Sequence, residues 1–126
     1  MGSARLLHSQ QIHYLRKGIT YADGGTTVTV GEIPAGSVIL KAISGVQVNV
    51  AFNGDTTNTL DIGPSTDTNL YATALALGTI GFIPFDETVS NAVTVDTVIQ
   101  AAAISTDSAS AGDAEIVICY IPDNDG

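Results

Sequence analysis

SVILKAISGVQVNVAF, residues Ser37 to Phe52, decides the fold class. Val38, Leu40, Ala42, Val46, Val48, Val50 and Phe52 all fall on even positions, a period of two that puts them on one side of an extended chain. A helix would scatter the same set around its circumference. The stretch is longer than an ordinary strand, so a bend or bulge is expected near Ser44-Gly45, where the missing side chain permits one and lets a single strand serve two parts of a sheet.

Working outward, the flanking text carries the same signal. Thr26 to Ile33 alternates, with Val28 and Val30 on one face and Thr27 and Thr29 on the other, and Pro34-Ala35-Gly36 turns the chain. Upstream, Gln11 to Lys17 reads as an edge strand and Asp23-Gly24-Gly25 as a turn. Downstream, Asn53-Gly54 is a hairpin signal. A two-residue loop would set Val46 opposite Asp61, whereas a three-residue loop from Asn53 to Asp55 matches Val48 with Leu60 and Val46 with Ile62, so the longer loop is expected. Leu70, Ala74 and Leu77 stand at i, i+4 and i+7 after Asp67 and Thr68, candidate N-caps, and before Gly78. That spacing predicts one short helix over Asn69 to Leu77. Thr79 to Phe85, Ala92 to Val95, Thr97 to Ser105 and Ala114 to Ile121 read as further strands.

Composition agrees. Threonine, valine and isoleucine together make up 39 of the 126 residues, while lysine, arginine, methionine and glutamine, which favour helices, are scarce. The expected fold is all-β, an antiparallel β-sandwich with one short helix. The length suits one core that buries roughly 65% of the unfolded chain's surface. Residues 1–18 read as an N-terminal arm or edge strand and residues 19–126 as a single sandwich domain. No apolar run approaches the roughly 18 residues needed to span a bilayer, no secretory leader pattern is seen, and the single Cys119 excludes an intrachain disulfide. No membrane partner is expected.

Charge is unevenly placed. The four cations, Arg5, Arg16, Lys17 and Lys41, lie in the first 41 residues, and everything after Lys41 carries eleven acids and no cation. Such a body repels phosphates rather than releasing their counterions, so no nucleic-acid partner is expected. Met1 to Lys17 has a charge of +3 and no acid. It reads either as a basic arm that meets an acidic partner surface, and is dispensable for the sandwich, or as a terminus without a role. As an arm, its contact residues are Arg5, Leu6, Leu7, Ile12, Tyr14, Leu15, Arg16 and Lys17. Ile116, Val117, Ile118, Cys119, Tyr120 and Ile121 leave no polar face. That run must be covered on both sides, by an arm or loop of its own chain or by another subunit. In the second case Ile116, Val117, Ile118, Tyr120 and Ile121 form the oligomer interface.

Chemistry-bearing patterns are weak. His8 and His13 stand five apart and fall on opposite faces of a strand, Cys119 sits mid-strand without a neighbouring histidine, and Asp55, Asp61 and Asp67 lack the closing glutamate of a calcium loop. Asp86-Glu87 would point to opposite faces and could not flank one glycosidic bond. No metal, cofactor or catalytic residue is expected, and the chain is not expected to be an enzyme.

From Ile33 onward, the sequence is similar to small capsid decoration proteins, also called cement proteins, of tailed bacteriophages. The similarity rests on IPAGSVILKAISGVQVNVAFNGDTTNTLDIG, on NLYAT, and on the closing SASAGDAEIVICYIPDNDG, about three-quarters of the chain. Pro34-Ala35-Gly36, Phe52 to Gly63 and Ala111 to Asn124 stand where that group has its turn-bounded strand, its threonine-rich hairpin and its closing strand. The resemblance implies a jelly-roll-like sandwich on the capsid exterior that ties neighbouring capsomers together. It further implies a homo-oligomer, dimer or trimer, made in the bacterial host cytoplasm, with the phage major capsid protein as partner. The alternative is a tail or head-fibre module that recognises a host glycan or receptor through the loops of the same sandwich, with aromatic or acidic residues clustered at the loop tips.

Overall fold

A computed structural model describes residues 11–105 and 108–123. The strands are β1 (His13–Thr20), β2 (Thr27–Ile33), β3 (Val38–Ile39), β4 (Gly45–Val50), β5 (Asn58–Pro64), β6 (Ala72–Ala76), β7 (Gly81–Pro84), β8 (Thr97–Ser105) and β9 (Asp113–Ile121). They form two antiparallel sheets, one ordered β1-β9-β4-β7 with β3 also on β9, the other β2-β8-β5-β6. The pairing is nested: β1 with β9, β2 with β8, β4 with β7, β5 with β6. One long hairpin doubled on itself has that nesting, and rolling it up adds the β4–β9 and β5–β8 ladders. This is the jelly-roll sandwich.

The expected break in the long even-parity stretch is present. β3 and β4 both pair with β9 and are separated by a single 3-10 turn, Lys41–Ile43. Ser44 mends the ladder there: its hydroxyl accepts from the Cys119 amide at 2.9 Å and donates to the Leu40 carbonyl at 2.7 Å. Gly45 follows because β7 passes so close that an added Cβ would lie 2.1 Å from the Ile83 carbonyl oxygen. After the turn Val46 and Val48 face inward, meet Ile116 and Ala114 of β9 and join Ile19, Leu60, Ile62, Ile99 and Ile118 in the fully buried core. The expected single face is not kept throughout: before the turn Ile39 is buried and Val38 exposed, and Ala42 and Val50 are exposed, because the turn re-aims the chain between its two pairings with β9. Burial of that surface, at about 25 cal/mol per Å², drives the fold.

Four other local expectations are corrected. The Asn69 to Leu77 helix is absent: a turn with Asp67 N–H on Pro64 O and Leu70 N–H on Asp67 O leads into strand β6. Along β6 the backbone pairs with β5, burying Ala72 and Leu75, and a bulge at Ala74 (φ 53°) bonds its N–H to Asp61 Oδ1 at 2.7 Å. A sheet edge supplies more partners than an isolated three-turn apolar stripe, and the only helical turns among the described residues are 3-10, Tyr21–Asp23 and Lys41–Ile43. The Asn53 to Asp55 hairpin is absent as well, since β4 and β5 lie in different sheets and residues 51–57 cross between them. Residues 92–95 contribute a single bridge, Val38 to Ala92, rather than a strand. Finally, β1 is built into the first sheet over its whole length, so the segment ending at Lys17 cannot be removed without stripping β9 of its neighbour.

Candidate functional site

Strand alternation sorts each sheet into an inward and an outward set. In the first sheet the outward positions form rows across the strands: Tyr14 beside Cys119, Arg16 beside Val117, Gly45 and Pro84, Gly18 beside Glu115, Gln47 and Phe82, and Val38 beside Ile121. Tyr14 is 62% exposed, Val38 46%, Ile121 44% and Phe82 43%, with Val117 and Cys119 half-buried between them. This is a broad apolar surface at whose centre Arg16 and Glu115 form an ion pair. Single exposed apolar side chains are ordinary, whereas a contiguous set of this kind marks a contact surface.

The outward set of the second sheet is different in kind. Thr27, Ala102 and Asp61 share one row, Thr29, Gln100 and Gly63 the next, and Ile104, Thr59 and Ala76 another, with Glu32 beside Val98. Small and hydroxyl-bearing side chains dominate, Val98 and Ile104 being exposed apolar exceptions toward the ends of β8, and that face carries two acids and no cation. The described cations, Arg16, Lys17 and Lys41, all belong to the first sheet or to the turn that interrupts it.

The sequence-predicted contact residues separate accordingly. Tyr14 and Arg16 face outward on β1, while Leu15 is half-buried, packs on the core and lies against Gly31, where a Cβ would come within 2.9 Å of its methyl. Lys17 stands at an inward register position opposite Ile116 yet remains exposed. Ile12 is exposed just before β1, and Arg5, Leu6, Leu7 and His8 lie outside the described residues. On β9 the described residues cover one side only. Ile116, Ile118 and Tyr120 point into the core, and of the outward pair Val117 has β1 and β4 beside it and Ile121 has β3, with no part of the described chain over either. Of the five interface candidates, Val117 and Ile121 remain available.

Groups with chemical potential are elsewhere engaged. His13 packs its ring on Tyr120 with centroids 5.7 Å apart. Asp61 and Asp86 accept from the Ala74 and Thr73 amides at 2.7 and 3.0 Å, and Asp96 from Ala35 at 2.9 Å. Among the described residues no group of three or more histidine, cysteine or carboxylate side chains is placed to hold a metal ion. A cleft of about 300 Å³ beside the β5–β6 turn is lined by residues including Leu70, Tyr71, Val89, Val93, Thr94 and Thr97 and holds no charged side chain. Tyr71 stacks on Phe85 at 6.0 Å, and burial raises its hydroxyl above the ordinary pKa. These two aromatics are interior and stand at no loop tip.

Two clamps that the sequence reading missed hold the crossover between the sheets. Asn53 Oδ1 accepts from the Ser110 and Ala111 amides at 2.8 and 3.0 Å and its Nδ2 donates to the Ser110 hydroxyl at 3.1 Å. Asn58 accepts from the Gly54 amide and the Ser105 hydroxyl, each at 2.8 Å, and donates to the Gly54 carbonyl at 3.1 Å. The signal was the Asn53-Gly54 pair itself: neither residue has positive φ, so the type I′ turn it suggests does not form and the side chain is spent on tying the loop.

No protein-family model matches the chain, and no curated protein matches it in sequence. In fold it is similar to a chain of the capsid asymmetric unit of cyanophage Pam1, with TM-score 0.67 and 18% identity over 90% of this chain and 86% of that one. It is also similar to a chain of the acidic stable capsid of Helicobacter pylori bacteriophage KHP30, with TM-score 0.70 and 11% identity over 91% of each. At these identities the likeness is one of fold: the chain shares its jelly-roll sandwich with proteins found in phage capsids.

Proposed function

We propose that the chain is a virion structural protein that decorates the exterior of a phage capsid and stabilises the shell by bridging neighbouring capsomers. The observation that carries this reading is the apolar outward face of the β1-β9-β4-β7 sheet, on the side of the molecule that also holds Arg16, Lys17 and Lys41. That face docks on the major capsid protein, and the acidic, threonine-rich face of the other sheet is turned to solvent. The fold likeness to chains in two phage capsids supports the setting. The work is done by contact rather than catalysis: a rigid sandwich straddling a joint adds interface that must break before the joint opens. Apolar burial supplies the affinity, while the cations steer encounter and register. The protein is made in the host cytoplasm and acts as a homo-oligomer, dimer or trimer.

Purified shells that lack the protein, mixed with variants and scored for occupancy, test this. Tyr14→Asp with Phe82→Asp should abolish binding, and Thr29→Asp with Ala102→Asp, on the opposite sheet, should leave it intact. Equal occupancy for both pairs overturns the assignment of the face. Because residues from His13 belong to β1, the arm is tested by removing residues 1–10 alone. That truncation should fold, as seen by far-ultraviolet circular dichroism, and bind shells more weakly.

A further inference from the structure

Asn53-Gly54 is the most reactive peptide step in the chain on chemical grounds, because a glycine amide meets no side-chain hindrance when it attacks the carboxamide before it. The reaction needs two freedoms: the Gly54 nitrogen must reach Asn53 Cγ, and the carboxamide must turn to present that carbon. The folded protein removes both. The Gly54 N–H is committed to Asn58 Oδ1 at 2.8 Å, and the carboxamide is held by the Ser110 and Ala111 amides and the Ser110 hydroxyl. Phe52 and Asn53 are further tied through their own amides to Leu77 O and Ala111 O. The ring of Phe52 lies where a Cβ on Gly112 would have to be, 2.6 Å away.

We propose that Asn53-Gly54 is a self-modification site, an intramolecular deamidation gated by the Asn58 and Ser110 clamps of the crossover. When the loop opens, base removes the Gly54 amide proton. The nitrogen bonds to Asn53 Cγ, and the Cγ–Nδ2 bond breaks with release of ammonia, leaving a succinimide. Water then opens the ring. Cleavage at Cγ gives aspartate with the original main chain, and cleavage at the main-chain carbonyl gives isoaspartate, whose backbone runs through Cγ. No oxidant or cofactor enters. The two products differ in consequence. An aspartate at 53 keeps the same donors, which bind a carboxylate more strongly than an amide. An isoaspartate lengthens the crossover and cannot keep both the Asn53 amide bond to Ala111 and the side-chain clamp. The modification therefore adds a negative charge where the two sheets are joined and, in one of its forms, loosens the joint.

Peptide mapping by mass spectrometry after incubation at mildly alkaline pH reads the rate, with the wild type in denaturant as the unrestrained reference. Folded wild type should convert far more slowly than the denatured chain. Asn58→Ala, which removes two hydrogen bonds to Gly54 and one to Ser105, should convert at least about three- to tenfold faster than folded wild type, the rise in open population expected for the loss of a single one of them. Ser110→Ala, at an exposed loop position, should accelerate it about two- to threefold. Folded wild type reacting as fast as the denatured chain, or a folded Asn58→Ala variant reacting no faster than wild type, overturns the proposal. Should Asn58→Ala fail to fold by circular dichroism, Ser110→Ala decides: a rate equal to wild type overturns the gate, and a faster one upholds it.

Discussion

The two sheets use one rule on the inside and two on the outside. Inward positions of β9 and β8 alternate alike, Ala114, Ile116 and Ile118 on one strand and Ile99, Ala101 and Ala103 on the other, all buried. Outward positions diverge in degree: Val117, Cys119 and Ile121 with Tyr14 and Phe82 on the neighbouring strands, against Gln100 and Ala102 with Thr27, Thr29 and Thr59, where Val98 and Ile104 toward the ends of β8 are the exposed apolar exceptions. Folding demands only the inner set, since a sandwich is stable with polar outer faces. The bulky outer set of the first sheet is therefore surplus to folding, and surplus apolar surface is the physical reason to assign docking to that side.

The largest effect that separates folding demand from surface comes from two glycines of the docking face. Gly45→Val places a branched side chain where even a Cβ lies 2.1 Å from Ile83 O and 2.7 Å from Pro84 Cα, so β7 must leave β4. Urea unfolding should show a loss of more than about 4 kcal/mol. Gly18→Ala, with nothing within 4 Å of the added carbon, should gain about 0.4–1 kcal/mol by restricting the unfolded chain. Similar costs at both positions would show that the β4–β7 approach is not as close as described.

Adjacent residues of β9 give the next largest contrast. Ile118→Ala empties a fully buried site and should cost about 3 kcal/mol, whereas Val117→Ala on the outward face should cost under about 1 kcal/mol. Shell binding should reverse that order, Val117→Ala weakening occupancy more than its stability change explains. Equal destabilisation by the two would mean that the outward face is already part of a packed interior.

How far the sequence could be read follows from the same contrast. Parity along residues 114–121 is set by burial on one side and the structure keeps it residue for residue, whereas along residues 37–52 it holds only for Val46, Val48 and Phe52: before the turn at Lys41–Ile43 it is reversed, with Ile39 buried and Val38 exposed. What parity cannot supply is the identity of the neighbouring strand. Val46 and Val48 find equally apolar partners in β9 and, in the expected hairpin, in Leu60 and Ile62, so the Asn53-Gly54 turn decided wrongly. The jelly-roll order came from resemblance rather than from pattern. The helix over residues 69–77 failed because Ala74 satisfies a helical spacing and an edge bulge alike, and only Asp61, distant in sequence, selects the bulge. At the site, the unbroken apolar run on β9 was legible as a surface needing cover, but its division into core and contact residues required knowing that β1 lies beside it rather than over it.

A smaller effect checks that the loop aromatics belong to the interior, which the comparison of outer faces assumes. Burial raises the Tyr71 pKa above its unfolded value, so the neutral phenol is favoured in the folded state. Its contribution is fully present below about pH 10 and is lost as pH rises through the folded pKa. Tyr71→Phe should match wild type near pH 7 in thermal melts and lose less stability above pH 10. Identical alkaline slopes for the two proteins would place the hydroxyl in water and return Tyr71 to the loop surface.

The smallest effect on the free protein belongs to the ion pair at the centre of the docking face, and there the comparison is sharpest. Arg16 and Glu115 have side chains 56% and 34% exposed, so water and salt screen their attraction, and Glu115→Gln should change stability by no more than about 1 kcal/mol. That small difference should vanish at high salt, where the Debye length shrinks to a few ångströms. On the shell the same substitution leaves Arg16 facing an apolar contact without its carboxylate, and an unpaired buried charge costs about 2–5 kcal/mol in complexes. Glu115→Gln should therefore be nearly silent in urea titration yet weaken shell occupancy by one to three orders of magnitude, roughly the fold-change those energies correspond to. Acidic Glu32 on the opposite sheet, replaced by its amide, should move neither measurement comparably. If Glu115→Gln binds shells like wild type while the Tyr14 and Phe82 aspartate pair does not, the ion pair stays hydrated in the assembly. The contact then runs along the edges of the face and not across its centre.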